Sequence, residues 1–153
     1  MITITVGNIP PVVTNLQGFG QRLMTSLNRQ MTRIVVELQS YIRIKKLVGG
    51  NPLHQRTGNL SRAITYQVQQ DTDGITGFVG VDRTANYGAV HEYGGTFTVR
   101  EHIAMSKKGN PYNVRAHSAT YPQRSFLRSS LSENQANIVK QLTEAVNEAI
   151  VGE

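Results

Sequence analysis

Apolar residues recur every three or four positions along the first third of the chain, as they do on the buried face of a helix. The face consists of Leu16, Phe19, Leu23, Leu27, Met31, Ile34, Val35, Leu38 and Ile42. Asn15 suits the N-cap position, and Gly49-Gly50 followed by Pro52 suits a helix stop. The spacing predicts a helix over residues 15–47, about 50 Å long. One small core does not cover that length, so we expect part of the face to pack on a helix at the carboxyl end of the chain and part to contact another subunit.

The middle of the chain changes to the two-residue alternation of β-strands. Apolar and polar residues alternate from Ile64 to Gln69, and a return strand follows from Ile75 to Val81. The sequence Asp71-Thr-Asp-Gly74 between them is typical of a tight turn. Gly77 and Gly80 inside the second strand predict a close approach of another group to the backbone. Ile2, Ile4 and Val6 predict a further β-prone segment at the start of the chain.

A second set of short elements follows the first hairpin. Residues 85–93 predict a short helix that ends at Gly94-Gly95, and residues 96–99 predict a strand. A second hairpin is expected over about residues 96–120, with the basic, glycine-containing sequence of residues 106–111 at its tip. No repeat, low-complexity tract or domain boundary interrupts the chain.

A last helix is predicted from a cap signal and an apolar face. Ser130 and Glu133 have the spacing of a capping box. The face consists of Leu131, Ile138, Leu142, Ala145, Val146 and Ala149. The sequence therefore predicts one α+β domain over residues 1–153. In it, the long N-terminal helix and the C-terminal helix pack on one side of an antiparallel sheet, and a hairpin is inserted at about 96–120.

Charge is distributed unevenly along the 153 residues, whose formal net charge is +6. Residues 100–128 contain six Lys or Arg against one acid, and residues 41–62 contain five and no acid. The last 25 residues contain four glutamates against Lys140. These segments are either solvated surface, or complementary patches between neighbouring copies, or in the basic part a surface for DNA.

Catalytic and metal-binding patterns do not stand out in the sequence. There is no cysteine, so disulfides and thiolate zinc sites are excluded. His91-Glu92 begins like a zincin helix, but position 95, where the second histidine belongs, is Gly95. Neither a G-x-S-x-G nucleophile turn nor a phosphate-binding glycine loop occurs. We therefore predict no catalytic residue, no cofactor and no metal.

The start of the chain and its apolar runs bear on localisation. Residues 1–13 lack the basic start and continuous apolar core of a signal peptide. No apolar run approaches the roughly 20 residues that cross a bilayer. A soluble protein with no membrane partner is expected.

Four short blocks occur in an order that resembles a known family. The first is Arg56-Thr57-Gly58-Asn59-Leu60, followed by the hairpin, and the next runs from Tyr87 to Gly94 with the sequence YGAVHEYG. Pro122 and then Phe126-Leu127-Arg128 precede the last helix. This arrangement resembles the neck and tail-completion proteins of tailed bacteriophages, small subunits that join head to tail. The stretch from Gly95 to Pro122 is longer than the short link common in that family.

The resemblance implies a non-enzymatic structural protein of the virion, assembled in the host cytoplasm. Such a subunit forms a ring, hexameric or dodecameric, at the neck. Its partners would be sister copies, head-closure or connector proteins, tail-terminator or tail-tube proteins, and DNA in the channel. We expect the subunit interface to include Leu23, Leu27, Met31, Tyr93, Phe97, Tyr112, Phe126 and Arg128. Contacts with DNA or other charged groups are expected from Lys107, Lys108 and Arg115.

Two other functions remain open at this point. The basic segments are compatible with a stand-alone protein that binds DNA without sequence specificity, through Lys107, Lys108 and Arg115. A hydrolase that uses His91 and Glu92 is a third hypothesis, and it requires the two side chains to face a common substrate cleft.

Overall fold

The computed structural model describes five stretches of the chain, residues 1–6, 17–50, 52–54, 56–72 and 74–151. The predicted cap Asn15 and the apolar Leu16 lie outside them, as does Asp73 of the predicted turn.

The first described helix, α1, spans Gln17–Tyr41 and continues as a π-helical segment over Ile42–Val48. Its predicted apolar face from Leu23 to Ile42 is buried. The helix ends as predicted at the glycine pair, where the Gly49 amide donates to Ile44 O at 2.9 Å and Gly50 adopts φ +79°. A positive φ is a conformation that glycine adopts readily, which explains the abrupt stop.

Three strands form an antiparallel sheet beside this helix. They are β1, Ile2–Val6; β2, Ile64–Gln70; and β3, Ile75–Val81, in the spatial order β1-β3-β2. Ile64 pairs with Val81 and Gln70 with Ile75, which confirms the predicted hairpin. Its turn is closed by the Asp71 carboxylate, which accepts a hydrogen bond from the Gly74 amide at 2.9 Å.

The remaining elements follow in chain order. The helices are α2, Asn59–Arg62; α3, Tyr87–Tyr93, preceded by a 3-10 turn at Arg83–Ala85; and α4, Leu127–Val151. The strands are β4, Gly95–Val99; β5, His102–Met105; β6, Pro111–Val114; and β7, His117–Tyr121. Gly58 is the N-cap of α2 and adopts φ +75°, a conformation that glycine takes readily.

The hydrophobic core lies where the three-stranded sheet, α1 and α4 pack together. The sheet contacts one side of α1, and α4 lies along another side of α1, so the long helix is covered from two directions. Ile138, Ala145 and Ala149 of α4 join the apolar residues of α1 and the sheet in one cluster. The predicted α+β fold, with both long helices and an inserted hairpin, is confirmed.

Four residues expected at a subunit interface belong to this core instead. Leu23, Leu27 and Met31 on α1 are at most 3% exposed, and Phe126 is fully buried. The expectation that part of the α1 face contacts another subunit is wrong for these residues. The physical reason is that α4 is also 25 residues long and covers the part of α1 that the sheet leaves free.

A polar contact fixes the relative position of the two long helices. Lys46, in the π-helical segment, donates to Glu133 of α4 at 2.6 Å, and the Tyr41 hydroxyl donates to the other carboxylate oxygen at 2.6 Å. The hydrogen bonds from Lys46 and Tyr41 lower the pKa of the Glu133 carboxyl below its ordinary value. Glu133 therefore connects α4 to the end of the first helix.

The predicted close approach of another group to the backbone is present at Gly77, and a substitution there tests the packing of α1 on the sheet. A Cβ atom there would lie 2.6 Å from Val35 Cγ1 and 2.7 Å from Met31 Sδ, both on α1. We expect Gly77→Ala to lower the free energy of unfolding by about 1–3 kcal/mol, because α1 and β3 must move apart. Urea denaturation measures this change. Gly20→Ala is the matched control: no atom lies within 4 Å of its Cβ position, and we expect it to stabilise α1 by up to about 1 kcal/mol. Equal effects of the two substitutions would contradict the packing argument.

Candidate functional site

A single buried carboxylate joins two of the sequence blocks singled out above. Glu92, on the last turn of α3, is 2% exposed. Its Oε2 accepts hydrogen bonds from the amides of Phe126 at 2.8 Å and Leu127 at 2.9 Å. Its Oε1 accepts from Ser125 Oγ at 2.8 Å and from the Arg128 amide at 3.1 Å. A carboxylate from α3 thus caps the N-terminus of α4, where amide groups lack partners within the helix.

Arg128 completes the same contact from the α4 side. Its Nε donates to Glu92 Oε1 at 3.0 Å, and its Nη2 donates to the Glu92 carbonyl at 3.2 Å. The guanidinium also lies over the Tyr93 ring, 4.9 Å from the centroid. The Arg128 side chain is 52% exposed, so the ion pair is shielded by protein on one side only.

The charge state of Glu92 follows from two opposing effects. Burial alone raises the pKa of the Glu92 carboxyl, because the charged form loses water. The hydrogen bonds from the Leu127, Arg128 and Phe126 amides and from Ser125 outweigh burial and lower the pKa below its ordinary value of 4.5. Glu92 is therefore ionised at neutral pH.

This contact corrects the predicted capping box at the start of the last helix. Helix α4 begins at Leu127, three residues before Ser130. Ser130 Oγ is buried and donates to the Phe126 carbonyl at 2.6 Å, while Glu133 binds Lys46. The capping function lies with Glu92, which is 34 residues away from Phe126 along the chain. No local spacing rule could have indicated it.

Gly94 allows the chain to turn away directly after Glu92. It adopts φ +64°, and a Cβ atom there would lie 2.6 Å from Gln123 N. The Arg124 amide donates to the His91 carbonyl at 2.8 Å across the same junction. The segments entering and leaving the inserted hairpin are therefore held against each other at its base.

The inserted hairpin is a long two-stranded arm spanning residues 95–121. Strand β4 pairs with β7 and β5 with β6, and among the described strands these four pair with no other. Gly95 pairs with Tyr121 and Met105 with Pro111 in one unchanged register, so neither strand gains a residue between the two halves. Eleven residues per side correspond to about 35 Å. The hairpin predicted over about residues 96–120 is confirmed.

Most side chains of the arm are exposed, including large apolar ones. Phe97 and Tyr121 contact each other edge to face, with ring centroids 6.0 Å apart. The other exposed apolar residues of the arm are Ile103, Met105 and Tyr112. Since Phe97 pairs with Ala119, and Gly95 with Tyr121, the side chains of Phe97, Ala119 and Tyr121 lie on one side of the ribbon. This side is apolar, and its two rings are partly exposed, Phe97 by 41% and Tyr121 by 43%.

The remaining predicted site residues are distributed over the arm and its base. Tyr93 and Arg128 are together at the base, whereas Phe97 lies on β4 and Tyr112 on β6. Lys107 and Lys108 are exposed in the turn at the tip, and Arg115 is exposed between β6 and β7. The structure thus separates the proposed DNA contacts from the base of the arm.

A cleft of about 780 Å³ lies beside α3 and brings three of the sequence blocks together. Leu47, Leu53 and Leu60 give it apolar walls. Its polar and remaining residues are His54, Arg56, Thr57, Gly58, Asn59, Ser61, Tyr87, His91 and Arg124. The cleft therefore contains two arginines and two histidines among its described residues and no carboxylate.

His91 is held in the neutral form in this cleft. Burial lowers the pKa of the His91 imidazole, and the positive charge of Arg124 lowers it further. The basic character of the cleft at neutral pH consequently comes from Arg56 and Arg124. Sequence reasoning did not identify these two as a pair, because they are distant in the chain.

The hydrolase hypothesis requires His91 and Glu92 to act together, and the structure places them apart. His91 lines the cleft, whereas the carboxylate of Glu92 faces the start of α4 with both oxygens hydrogen-bonded. In the described part of the chain, no three His, Asp or Glu side chains group closely enough to hold a metal ion.

No protein-family model, no curated protein and no solved structure matches the chain. None of the helices in the described ranges is both long and apolar enough to cross a bilayer.

Removal of the Glu92 charge tests its importance for the fold. We expect Glu92→Gln to lower the free energy of unfolding by about 3 kcal/mol, because an amide cannot accept from all of its present donors. Urea denaturation measures the loss. Glu101→Gln, at an exposed position of the arm, removes the same charge and should change stability by about 0.5 kcal/mol or less. A loss at Glu92 no larger than at Glu101 would contradict the capping role.

The pH dependence of stability gives an independent check. Because folding lowers the pKa of Glu92, its contribution is fully present above its ordinary pKa of 4.5 and is lost as pH falls through the folded value. The stability difference between wild type and Glu92→Gln should be constant above about pH 5.5 and shrink steadily below that. Denaturation curves between pH 3 and 7 measure this stability difference. They should locate the pH at which it begins to shrink to within about half a unit. A difference that persists unchanged to pH 3 would contradict this assignment.

Proposed function

We propose that the protein is a structural subunit of a tailed-bacteriophage virion, forming a ring at the head–tail interface. In this role it takes part in tail completion or head–tail joining around the DNA channel. The observation that carries the proposal is the arm, residues 95–121, whose base is clamped and whose apolar side is partly exposed. The order of sequence blocks resembling neck proteins supports the same role.

An isolated two-stranded ribbon is marginally stable in water. Within the part of the chain that the structure describes, the arm pairs only with itself, and it exposes Phe97, Ile103, Met105 and Tyr121. A second surface that covers these side chains would stabilise the arm by removing apolar area from water. A sister subunit or an adjoining ring of the neck supplies such a surface in the proposed assembly.

The buried face of α1 does not take part in these contacts. With Leu23, Leu27, Met31 and Phe126 in the core, the proposed interface consists of the arm and its base. From the residues expected at the outset, it retains Tyr93, Phe97, Tyr112 and Arg128. The proposed partners are sister copies, connector or head-closure proteins, and tail-terminator or tail-tube proteins.

A second candidate function rests on the charge of the arm. Arg100, Lys107, Lys108 and Arg115 are exposed there, and Glu101 is the only acid between residues 95 and 121. Such a strip can contact phosphates without reading sequence. In the ring this strip would face DNA in the channel, and in a stand-alone protein it would bind duplex DNA directly.

Shortening the arm tests the proposed role. Replacing residues 96–120 by an Asn-Gly turn joins the paired residues Gly95 and Tyr121, removes Phe97, Ile103, Met105 and Tyr112, and keeps the clamp at Glu92. We expect this variant to unfold at the same urea concentration as wild type but to remain monomeric. Wild type should form a ring of six or twelve copies of 16.9 kDa, measured as mass in solution. Electron microscopy of virions should place its density at the neck.

The control is the full-length chain with Lys107 and Lys108 changed to Glu, which retains the apolar side of the arm. It should still assemble. Wild type that is monomeric at all concentrations, with no density at the neck, would refute the proposal. Steep salt-dependent binding of duplex DNA by that monomer, lost in the Lys107→Glu, Lys108→Glu variant, would establish the second candidate instead.

A further inference from the structure

We propose that the cleft beside α3 binds the acidic carboxyl-terminal segment, residues 144–153, of a second copy of the chain. The inference rests on the proposed ring and specifies one contact within it. Three observations carry it, namely the chemistry of the cleft, the composition of the segment and the length of α4.

The cleft has the chemistry of a receptor for an apolar and negatively charged segment. Arg56 and Arg124 are exposed at its walls, and within the described chain neither guanidinium forms an ion pair or a hydrogen bond. Leu47, Leu53 and Leu60 also line the cleft, where Leu60 is half-buried and Leu47 and Leu53 belong to the core. A ligand that places carboxylates near the arginines and an aliphatic side chain near the leucines would complement both features.

The segment 144–153 provides both groups. It contains Glu144, Glu148 and Glu153 with no Lys, Arg or His, and it is the only ten-residue stretch of the sequence with three acids. Ile150 lies among these glutamates and is 62% exposed on α4. A large aliphatic side chain in water at the end of a helix is stabilised when a neighbour covers it.

Within the described residues, the charges near this segment leave the carboxylates of Glu144 and Glu148 largely unpaired. Glu144 lies 3.8 Å from Lys140, and both side chains are more than half exposed, so this pair contributes little. Glu148 borders a surface groove together with Arg22 and Arg29, and no ion pair joins it to either within the described ranges. These arginines reduce the local negative charge without neutralising Glu148 by direct contact.

The length of α4 excludes an intramolecular version of the contact. Its first turn lies next to Arg124 at the cleft, and its 25 residues place its last turn about 36 Å away. The cleft of one copy must therefore receive the segment from another copy. Such a head-to-tail contact uses two different surfaces and closes into a ring when its rotation divides a full turn.

Peptide binding to the full-length protein tests the contact separately from ring formation. The probe is a labelled synthetic peptide of residues 144–153, EAVNEAIVGE, and its control is the same peptide with every Glu replaced by Gln. We expect fluorescence anisotropy to show that the acidic peptide binds and that the control peptide binds at least about tenfold more weakly. Arg56→Glu with Arg124→Glu should weaken binding of the acidic peptide by about tenfold or more. Arg83→Glu, exposed outside the cleft, should leave it unchanged.

Charge exchange in the full-length chain provides the second measurement. Arg56→Glu with Arg124→Glu should lower the fraction of assembled rings, and adding Glu144→Arg with Glu148→Arg to the same chain should restore it. Rings that form equally well with the reversed cleft, together with no peptide binding, would overturn this inference and leave the proposed ring intact. If the wild-type chain binds the peptide but never assembles, the proposed function is refuted. The cleft would then still be a receptor for the acidic segment.

Discussion

The structure depends on one buried carboxylate that replaces a local helix cap with a long-range one. The amides at the start of α4 would otherwise lack partners, and Glu92 accepts from three of them as well as from Ser125 and Arg128. Because Glu92 lies on α3 and its donors lie beyond the arm, the contact closes a loop of more than thirty residues. The first amides of α4 are satisfied only with α3 in place, so the position of the arm and the stability of the start of α4 are coupled.

This coupling bears directly on how the arm could function. A two-stranded ribbon with a free base would lose much orientational freedom on docking, and that loss opposes association. Here Gly94 and the Arg124–His91 hydrogen bond hold the two ends together, while the ion pair of Glu92 and Arg128 fixes the direction in which they leave the body. The entropy cost of orienting the base of the arm therefore arises on folding. In the proposed assembly, only the outer part of the arm would lose further freedom on docking.

The sequence predicted most elements of the fold but not what covers them. Three- and four-residue spacing identified the buried face of α1, and two-residue alternation with a turn identified the β2–β3 hairpin. Periodicity shows which face is apolar, yet it does not show whether a sister subunit or the same chain buries it. This is why Leu23, Leu27 and Met31 were assigned to an interface and lie in the core. The capping box failed for a related reason, since the donor–acceptor pairs that begin α4 join residues far apart in the chain. For the candidate site, the four blocks were recognised in order, but the pairing of Arg56 with Arg124 required the three-dimensional fold.

The distribution of charge sets a constraint that any assembly of this chain must meet. Among the described residues, Glu92 and Glu133 form ion pairs with Arg128 and Lys46, so these two acids do not offset the positive surface elsewhere. Copies that each carry a formal charge of +6 repel one another as they approach, and the repulsion grows with each subunit added. Contacts that place acids of one copy against bases of the next, or a polyanion in the channel, would lower this repulsion. The first solution predicts rings that form without DNA, and the cleft with the acidic end of α4 has the chemistry for it. The second predicts rings that require nucleic acid, and the basic side chains of the arm have the chemistry for that.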